Sequence, residues 1–216
     1  MNKLHKDLAD SIVDVADFRM VHHPLVICHY TDNEWLIGDI NTRYQQKLEL
    51  VESNLKKKDF DQYLFCHERP YRVSALMHLV SKEKMNDKKY WDLVSSIWID
   101  SENIFENRII WRWLLNHQRG NSHLMMDKEE KKYFDGLPDK IKIYRGGMDD
   151  KGFSWTLDKQ KAEWFANRWV MNSNWEDRSN IDGEHSTEVF TKTINKTDAL
   201  AYLNGRNERE IVYIPE

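Results

Sequence analysis

The hydrophobic pattern of the first two thirds of the chain is that of helices. Its clearest part is a series of apolar residues spaced three or four apart, which predicts a long amphipathic helix. That series is Ile40, Tyr44, Leu48, Val51 and Leu55. The same spacing predicts shorter helices at residues 4–12, after Pro70, and over 87–99 and 104–114. We therefore expect residues 1–136 to form a helical region, within which the apolar residues 24–28 are too few for a helix and form either a strand or a buried connection.

The pattern changes after Gly136, Leu137 and Pro138, where turn-forming residues precede an alternation of period two. Strands are predicted at residues 141–144, 153–156, 188–194 and 210–214, with a helix after residue 158 and a short helical turn over 197–203. The chain is thus expected to be α+β, with a helical region at 1–136 and a strand-rich region at 137–216.

Tryptophan is abundant, with nine residues in 216. Four of these, Trp91, Trp98, Trp111 and Trp113, follow helical spacing among aliphatic neighbours. They could form an exposed stacking surface, but helical spacing of this kind is more typical of a buried core. We therefore expect these rings to pack inside the helical region.

Charge and composition exclude several classes of partner. With 32 basic and 36 acidic residues the net charge is −4, which argues against non-specific nucleic-acid binding. No apolar run is long enough to cross a membrane, and no secretory signal is visible. The two cysteines, Cys28 and Cys66, suit a reducing compartment, although a disulfide between them stays open. A cytoplasmic protein is expected.

Polar side chains at three places on the predicted strands could take part in catalysis or ligand binding, and we call these places the three polar points. Arg145 ends one strand and precedes two glycines, so its planar fork is placed to bind a phosphate or carboxylate. Ser154 lies on the next strand, while Glu208 and Glu210 lie two apart at the start of the last one. Residues two apart on a strand face the same way, so both carboxylates could meet one ligand. Phosphate-binding loops, dinucleotide fingerprints and zinc motifs are missing from the sequence.

In order and context these points resemble the Arg-Ser-Glu class of ADP-ribosyltransferases, which has cholera-toxin-like and arginine-specific members. Residues 144–146 (Tyr-Arg-Gly) resemble its arginine motif, 153–156 (Phe-Ser-Trp-Thr) its Ser-Thr-Ser strand, and 208–210 (Glu-Arg-Glu) its E-x-E turn. The similarity covers about residues 140–214 and is greatest to compact bacterial and phage enzymes, including an anti-CRISPR transferase. Trp155 and Thr156 depart from the family's Ser-Thr-Ser pattern.

The resemblance implies catalytic roles for Glu210, Glu208 and Ser154, and a supporting role for Thr156 in the cofactor-binding part of the site. Glu210 would stabilise the positive charge that develops on the ribose of NAD, as a carboxylate does in glycoside hydrolysis. Glu208 would orient or deprotonate the acceptor, and an acidic residue at that place favours a guanidinium acceptor. Ser154 would position Glu210, with support from Thr156.

The resemblance also implies how NAD, the co-substrate, is bound without any metal. Arg145 would hold the pyrophosphate, and the backbone of Gly146 would hold the nicotinamide amide. An aromatic residue such as Trp175, from a polar loop, would stack on the nicotinamide ring. Residues 137–216 would form the transferase's split β-sandwich, and residues 1–136 would recognise the target or complete the fold.

The expected function is therefore NAD-dependent mono-ADP-ribosylation of a host protein by a phage or bacterial effector, anti-defence protein or toxin. Two alternatives stay open. The scaffold could be a decayed transferase that acts as a non-catalytic, protein-binding inhibitor, or the protein could be a toxin that hydrolyses NAD without a protein acceptor.

Overall fold

A computed structural model describes residues 3–116, 119–172 and 188–215 of the chain. Over those residues the protein is α+β, with helices and two antiparallel sheets. The chain divides into two compact units, residues 1–85 and 86–216. Within the described ranges, no helix has the length and apolar character needed to cross a membrane.

The first unit combines a three-stranded sheet with helices. Its elements are α1 (Lys6–Ala9), β1 (Ile12–Val15), β2 (Phe18–His23), β3 (Val26–Tyr30), α2 (Glu34–Lys57), α3 (Phe60–Phe65), a 3₁₀ turn (Arg69–Tyr71) and α4 (Arg72–Lys82). Each strand of the sheet β1-β2-β3 runs antiparallel to its neighbour.

The expectation of a helical region over residues 1–136 is wrong at this sheet, although its third strand, β3, overlaps residues 24–28, for which a strand was one of the two alternatives. The predicted helix of residues 4–12 stops at Ala9, and Ile12 instead pairs with Val21 across β1 and β2. The β-branched residues Ile12, Val13 and Val15 favour a strand over a helix. A tight turn at Ala16, whose φ is 49°, then returns the chain as a hairpin.

The long amphipathic helix is confirmed as α2. Its N-cap Asn33 accepts hydrogen bonds from the backbone N–H groups of Trp35 and Leu36, which satisfies two donors that a helix start leaves free. Ile40 and Tyr44 are buried against the sheet of the first unit. Burial of this apolar face, rather than helix propensity alone, stabilises a helix of such length.

The second unit places helices on a five-stranded sheet. Its elements are α5 (Asp87–Asp100), a 3₁₀ turn (Ile104–Asn107), α6 (Arg108–Asn116), a 3₁₀ turn (Ser122–Met125), α7 (Lys128–Asp135), β4 (Lys140–Gly146), β5 (Ser154–Thr156), α8 (Lys159–Asn172), β6 (Val189–Asn195), a 3₁₀ turn (Lys196–Asp198), β7 (Ala199–Leu203) and β8 (Glu210–Tyr213). The strand order is β6-β4-β5-β8-β7, with every neighbouring pair antiparallel.

The division between the units differs from the boundary expected near residue 137. Helices α5 to α7 belong with the sheet, because they share a core and hydrogen bonds with it. Trp98 of α5 donates its indole N–H to Glu210 of β8, and Glu130 of α7 accepts the backbone N–H of Asn204. A change in hydrophobic period therefore marks a change of secondary structure here and not the edge of a compact unit.

Three of the four tryptophans at helical spacing are core residues, whereas Trp113 is only partly buried. Trp91, Trp98 and Trp111 are fully buried, and the rings of Trp98 and Trp111 meet edge to face with centroids 4.9 Å apart. The expected short helix over 197–203 is wrong, since Ala199–Leu203 forms β7 and pairs with β8. Backbone pairing to a central strand outweighs the weak helical preference of so short a segment.

Strand β4 and helix α8 approach each other very closely at Gly146. A Cβ atom on Gly146 would lie 2.0 Å from the carbonyl oxygen of Ala162 and 2.4 Å from the nitrogen of Ala166, both in α8. Only glycine leaves enough space for the two backbones at this point. The packing holds α8 against the end of β4, whose last two residues are Arg145 and Gly146.

We expect Gly146→Ala to destabilise the protein by about 2 kcal/mol or more, because α8 must move away from β4 to admit one methyl group. The measurement is the free energy of unfolding in urea. Gly147→Ala is the matched control, since its nearest neighbour would be the Arg145 side chain at an ordinary 3.7 Å. Equal stability of the two variants would contradict this account of the packing.

Candidate functional site

Two of the three predicted polar points meet on the sheet of the second unit. Thr156 of β5 lies opposite Glu210 of β8, and Ser154 lies two residues before Thr156. Residues paired directly across antiparallel strands share a face, as do residues two apart on one strand. Ser154 is thereby placed against Glu210, and its hydroxyl donates a hydrogen bond to Glu210 Oε1.

Glu210 is a buried carboxylate with three donors around it. Its residue is 3% exposed. Oε1 accepts a second hydrogen bond, from the Trp98 indole at 3.1 Å, and Oε2 lies 3.5 Å from Arg206 Nη2. Burial raises the pKa of Glu210, while the Ser154 hydroxyl, the charge of Arg206 and the Trp98 indole act in the opposite direction. The site therefore holds a carboxylate whose charged form depends on these donors.

Arg206 links the two carboxylates of the E-x-E turn to α5. Its Nη2 lies 3.1 Å from Glu208 Oε2 and also approaches Glu210. Its Nη1 donates to the carbonyl oxygens of Ile99 at 3.3 Å and Ser101 at 2.9 Å, at the end of α5. A cation at a helix C-terminus is favourable for the exposed carbonyls there. One guanidinium thus connects a helix end with two acidic side chains.

The E-x-E turn has an unusual backbone that is pinned by polar neighbours. Arg209 lies in the left-handed region with φ 48°, as does Asn207 with φ 55°. The Thr156 hydroxyl donates to the carbonyl of Glu208 at 2.7 Å, and Asn204 Oδ1 accepts the backbone N–H of Arg209 at 3.0 Å. Non-glycine residues in this region are uncommon and concentrate at functional sites.

The two glutamates do not lie on one strand, because Glu208 belongs to this turn and Glu210 to β8. The alternation expected of a strand does not apply to Glu208, because β8 begins only at Glu210. The carboxylates nevertheless converge, through their shared contact with Arg206. Thr156 contacts the backbone of Glu208, whereas the hydrogen bond to the Glu210 carboxylate comes from Ser154.

Arg145 is held at the end of β4 by backbone carbonyls. Its Nη1 donates to Ser154 O at 2.8 Å, and its Nε donates to Asp149 O at 3.2 Å. A Cβ atom on Gly152 would lie 2.0 Å from the Arg145 Cζ, so the missing side chain of Gly152 makes room for the guanidinium. Burial lowers the pKa of Arg145, and nearby Arg108 adds to this, while Asp149 and Glu210 oppose it.

The two remaining predicted site residues, Gly146 and Trp175, add no contact to this site among the described residues. Gly146 lies opposite Val189 in the pairing of β4 with β6, and the contact with α8 already accounts for its lack of a side chain. Trp175 lies outside the described residues. Over the described ranges, no group of three or more His, Cys, Asp and Glu residues is arranged to hold a metal ion.

Sequence reasoning missed Trp98 and Arg206. Trp98 is 112 positions before Glu210, and its helical spacing indicated only a core residue. Arg206 carried a usable signal, since it lies four residues before Glu210 and two before Glu208 in an otherwise short polar turn. A basic residue beside two carboxylates is a natural ion-pair partner.

A groove lies in the first unit, whereas the predicted site residues belong to the second unit. Its volume is about 440 Å³, and it surrounds the turn between β1 and β2. Arg19 and Asp32 on its wall form an ion pair of 2.8 Å between exposed side chains. An exposed pair of this kind contributes little to stability.

No protein-family model, curated protein or solved structure matches this chain. The geometry of the site indicates what chemistry it can support. It combines a buried carboxylate, a hydroxyl that donates to it, a second carboxylate and several guanidinium groups. Such a set can stabilise a developing positive charge, accept a proton and bind an anion.

The raised pKa of Glu210 makes stability depend on pH with a definite sign. An acid whose pKa is raised on folding keeps its proton in the folded state where the unfolded chain has lost it, so stability falls as the pH rises from about 4.5 through the raised pKa. We expect Glu210→Gln to remove this loss. The stability of the variant relative to the native protein should therefore increase between about pH 4 and about pH 7.

Urea unfolding at both pH values measures this difference, and Glu163→Gln serves as the control because Glu163 is exposed on α8, where it pairs with Lys159. A native protein that gained stability over Glu210→Gln as the pH rose would show that the donors around Glu210 outweigh its burial.

Proposed function

We propose that this protein is an NAD-dependent mono-ADP-ribosyltransferase that modifies a protein side chain. The observation that carries the proposal is the hydrogen bond from Ser154 to the buried Glu210, beside a second carboxylate, Glu208. Arg145, Ser154 and Glu210 belong to the adjacent strands β4, β5 and β8, and with Glu208 just before β8 they follow the chain order of the Arg-Ser-Glu transferases. The proposal includes that family's split β-sandwich, of which β4 to β8 would be a part.

Glu210 would act on the ribose that leaves nicotinamide. As the bond between ribose C1′ and the nicotinamide nitrogen breaks, positive charge develops on the sugar, and a fixed carboxylate stabilises that charge more than it stabilises bound NAD. Ser154 and Trp98 fix the orientation of the Glu210 carboxylate through Oε1. Because the donors are already in place, little reorganisation is needed when the charge appears.

Glu208 would receive the proton of the acceptor. A bond forms between ribose C1′ and an acceptor nitrogen, and the proton of that nitrogen passes to the Glu208 carboxylate. The contact of Arg206 with Glu208 at 3.1 Å supports a guanidinium acceptor, since it is an example of a guanidinium held at this carboxylate pair. The acceptor would belong to a target protein of a host cell, as expected for an intracellular phage or bacterial effector.

The burial of Glu210 favours a second candidate, a non-catalytic protein-binding module on the same scaffold. Only 4% of the Glu210 side chain is exposed, whereas Glu208 and Arg206 are more accessible at 20% and 31%. For a ribose to touch the Glu210 carboxylate, a covering side chain such as Arg206 must move. A purely structural ion pair would have no need to open, so NAD consumption separates the two candidates.

We expect the purified protein to release nicotinamide from NAD and to label a protein band when labelled NAD and a bacterial lysate are supplied. Glu210→Gln should lower both rates by about 100-fold or more, because the carboxylate acts on the developing charge. Glu163→Gln should leave both rates unchanged. If the native protein neither consumed NAD nor labelled a target, the non-catalytic candidate would stand instead.

We expect Glu208→Gln to separate transfer from NAD cleavage. Loss of the proton acceptor should reduce labelling of the target by about 100-fold, while nicotinamide release, which depends on Glu210, should fall far less. Parallel measurement of labelled protein and free nicotinamide checks this ratio. Nicotinamide release without any labelled protein in the native enzyme would identify an NAD glycohydrolase.

A further inference from the structure

Two arginines of α6 lie beside the site, and no carboxylate in the described part of the chain pairs with them. Arg108 and Arg112 are four residues apart on one helix, so they project from the same face. Both guanidinium groups lie over the buried ring of Phe153, with Cζ 5.6 Å and 5.2 Å from its centroid. Among the described residues, neither guanidinium has an ion pair or a hydrogen bond, and each is half-buried.

These two arginines and Arg145 gather around the three residues 152–154. Arg145 occupies the space left by Gly152 and donates to the carbonyl of Ser154. Arg108 and Arg112 lie over the ring of Phe153, the residue between Gly152 and Ser154. The influence of Arg108 on Arg145 is consistent with this proximity. The carboxylates that act on Arg145 are Asp149 and Glu210, and neither is within ion-pair distance of Arg108 or Arg112.

Like charges that are brought together and half removed from water are unfavourable unless an anion accompanies them. Stacking on Phe153 offsets part of this cost for Arg108 and Arg112, but their N–H groups find no acceptor among the described protein atoms. A diphosphate has several oxygens and two or more negative charges, so it suits several planar forks at once. A single carboxylate could satisfy only one fork.

We infer that Arg108, Arg112 and Arg145 form a binding site for the diphosphate group of a nucleotide, next to Ser154. The inference rests on the proposed function for the nucleotide's identity as NAD, and it adds two arginines of α6 to the single one expected from the sequence. It also gives the helices before residue 137 a direct part in binding the co-substrate.

The test is calorimetric titration of the full chain with inorganic pyrophosphate, ADP-ribose and orthophosphate. Arg108→Gln and Arg112→Gln should each weaken binding of pyrophosphate and ADP-ribose by roughly tenfold, because each removes a charge-assisted contact. Arg119→Gln is the matched control: Arg119 also lies over an aromatic ring, Tyr90, but it is 3.6 Å from the carboxylate of Asp87. The control should bind both ligands as the native protein does.

A second pair of variants, Arg108→Lys and Arg112→Lys, keeps the charge and the contact with Phe153 and so guards against loss of the fold. These should lose part of the affinity, because a lysine lacks the planar fork. Unchanged pyrophosphate binding in the Gln and Lys variants would overturn the inference. Orthophosphate binding as tight as pyrophosphate binding would also overturn it, because the site would then not distinguish a diphosphate from a single phosphate.

Failure of this site and failure of the proposed function give different results. Arginine-dependent binding of ADP-ribose by a protein that does not consume NAD would support the diphosphate site and contradict the transferase. An active enzyme whose KM for NAD is the same in the native protein and in Arg108→Gln and Arg112→Gln would support the transferase and contradict the diphosphate site. An increase in KM with little change in kcat would support both.

Discussion

The second unit depends on one buried charge. Glu210 lies on a central strand, and removal of its carboxylate from water is unfavourable unless hydrogen bonds and an opposite charge replace the solvent. Ser154, Trp98 and Arg206 supply that replacement from a neighbouring strand, a helix and a turn. A well-packed apolar residue would serve stability as well or better, so stability alone does not account for an acid at this position.

Much of the fold could be predicted from local patterns, and the failures have definite causes. The helix containing Ile40 and Tyr44 follows from its periodicity, because one long apolar face has few alternatives. The hairpin at Ile12 and the strand at Ala199 were missed, because both depend on pairing with a partner strand that a short window does not contain. Pairing of this kind outweighs weak local preferences.

The candidate site was accessible from sequence only in part. Ser154 and Glu210 could be predicted to meet because each occupies a strand with a recognisable context, and their hydrogen bond agrees with that expectation. Trp98 could not be found in this way, since its contact with Glu210 joins residues 112 positions apart and its spacing is fully explained by the core. The same holds for Arg108 and Arg112, whose position beside Phe153 arises from the packing of α6.

The bond between Trp98 and Glu210 has a consequence for how the protein acquires its site. It closes a loop of 112 residues, and closure of so long a loop is entropically costly and late compared with helix formation. During synthesis α5 emerges well before β8, so the indole has no acceptor until the last strand is made and enters the sheet. Assembly of the carboxylate's surroundings is therefore tied to completion of the sheet, and a partly folded chain would lack the hydrogen bond between Trp98 and Glu210.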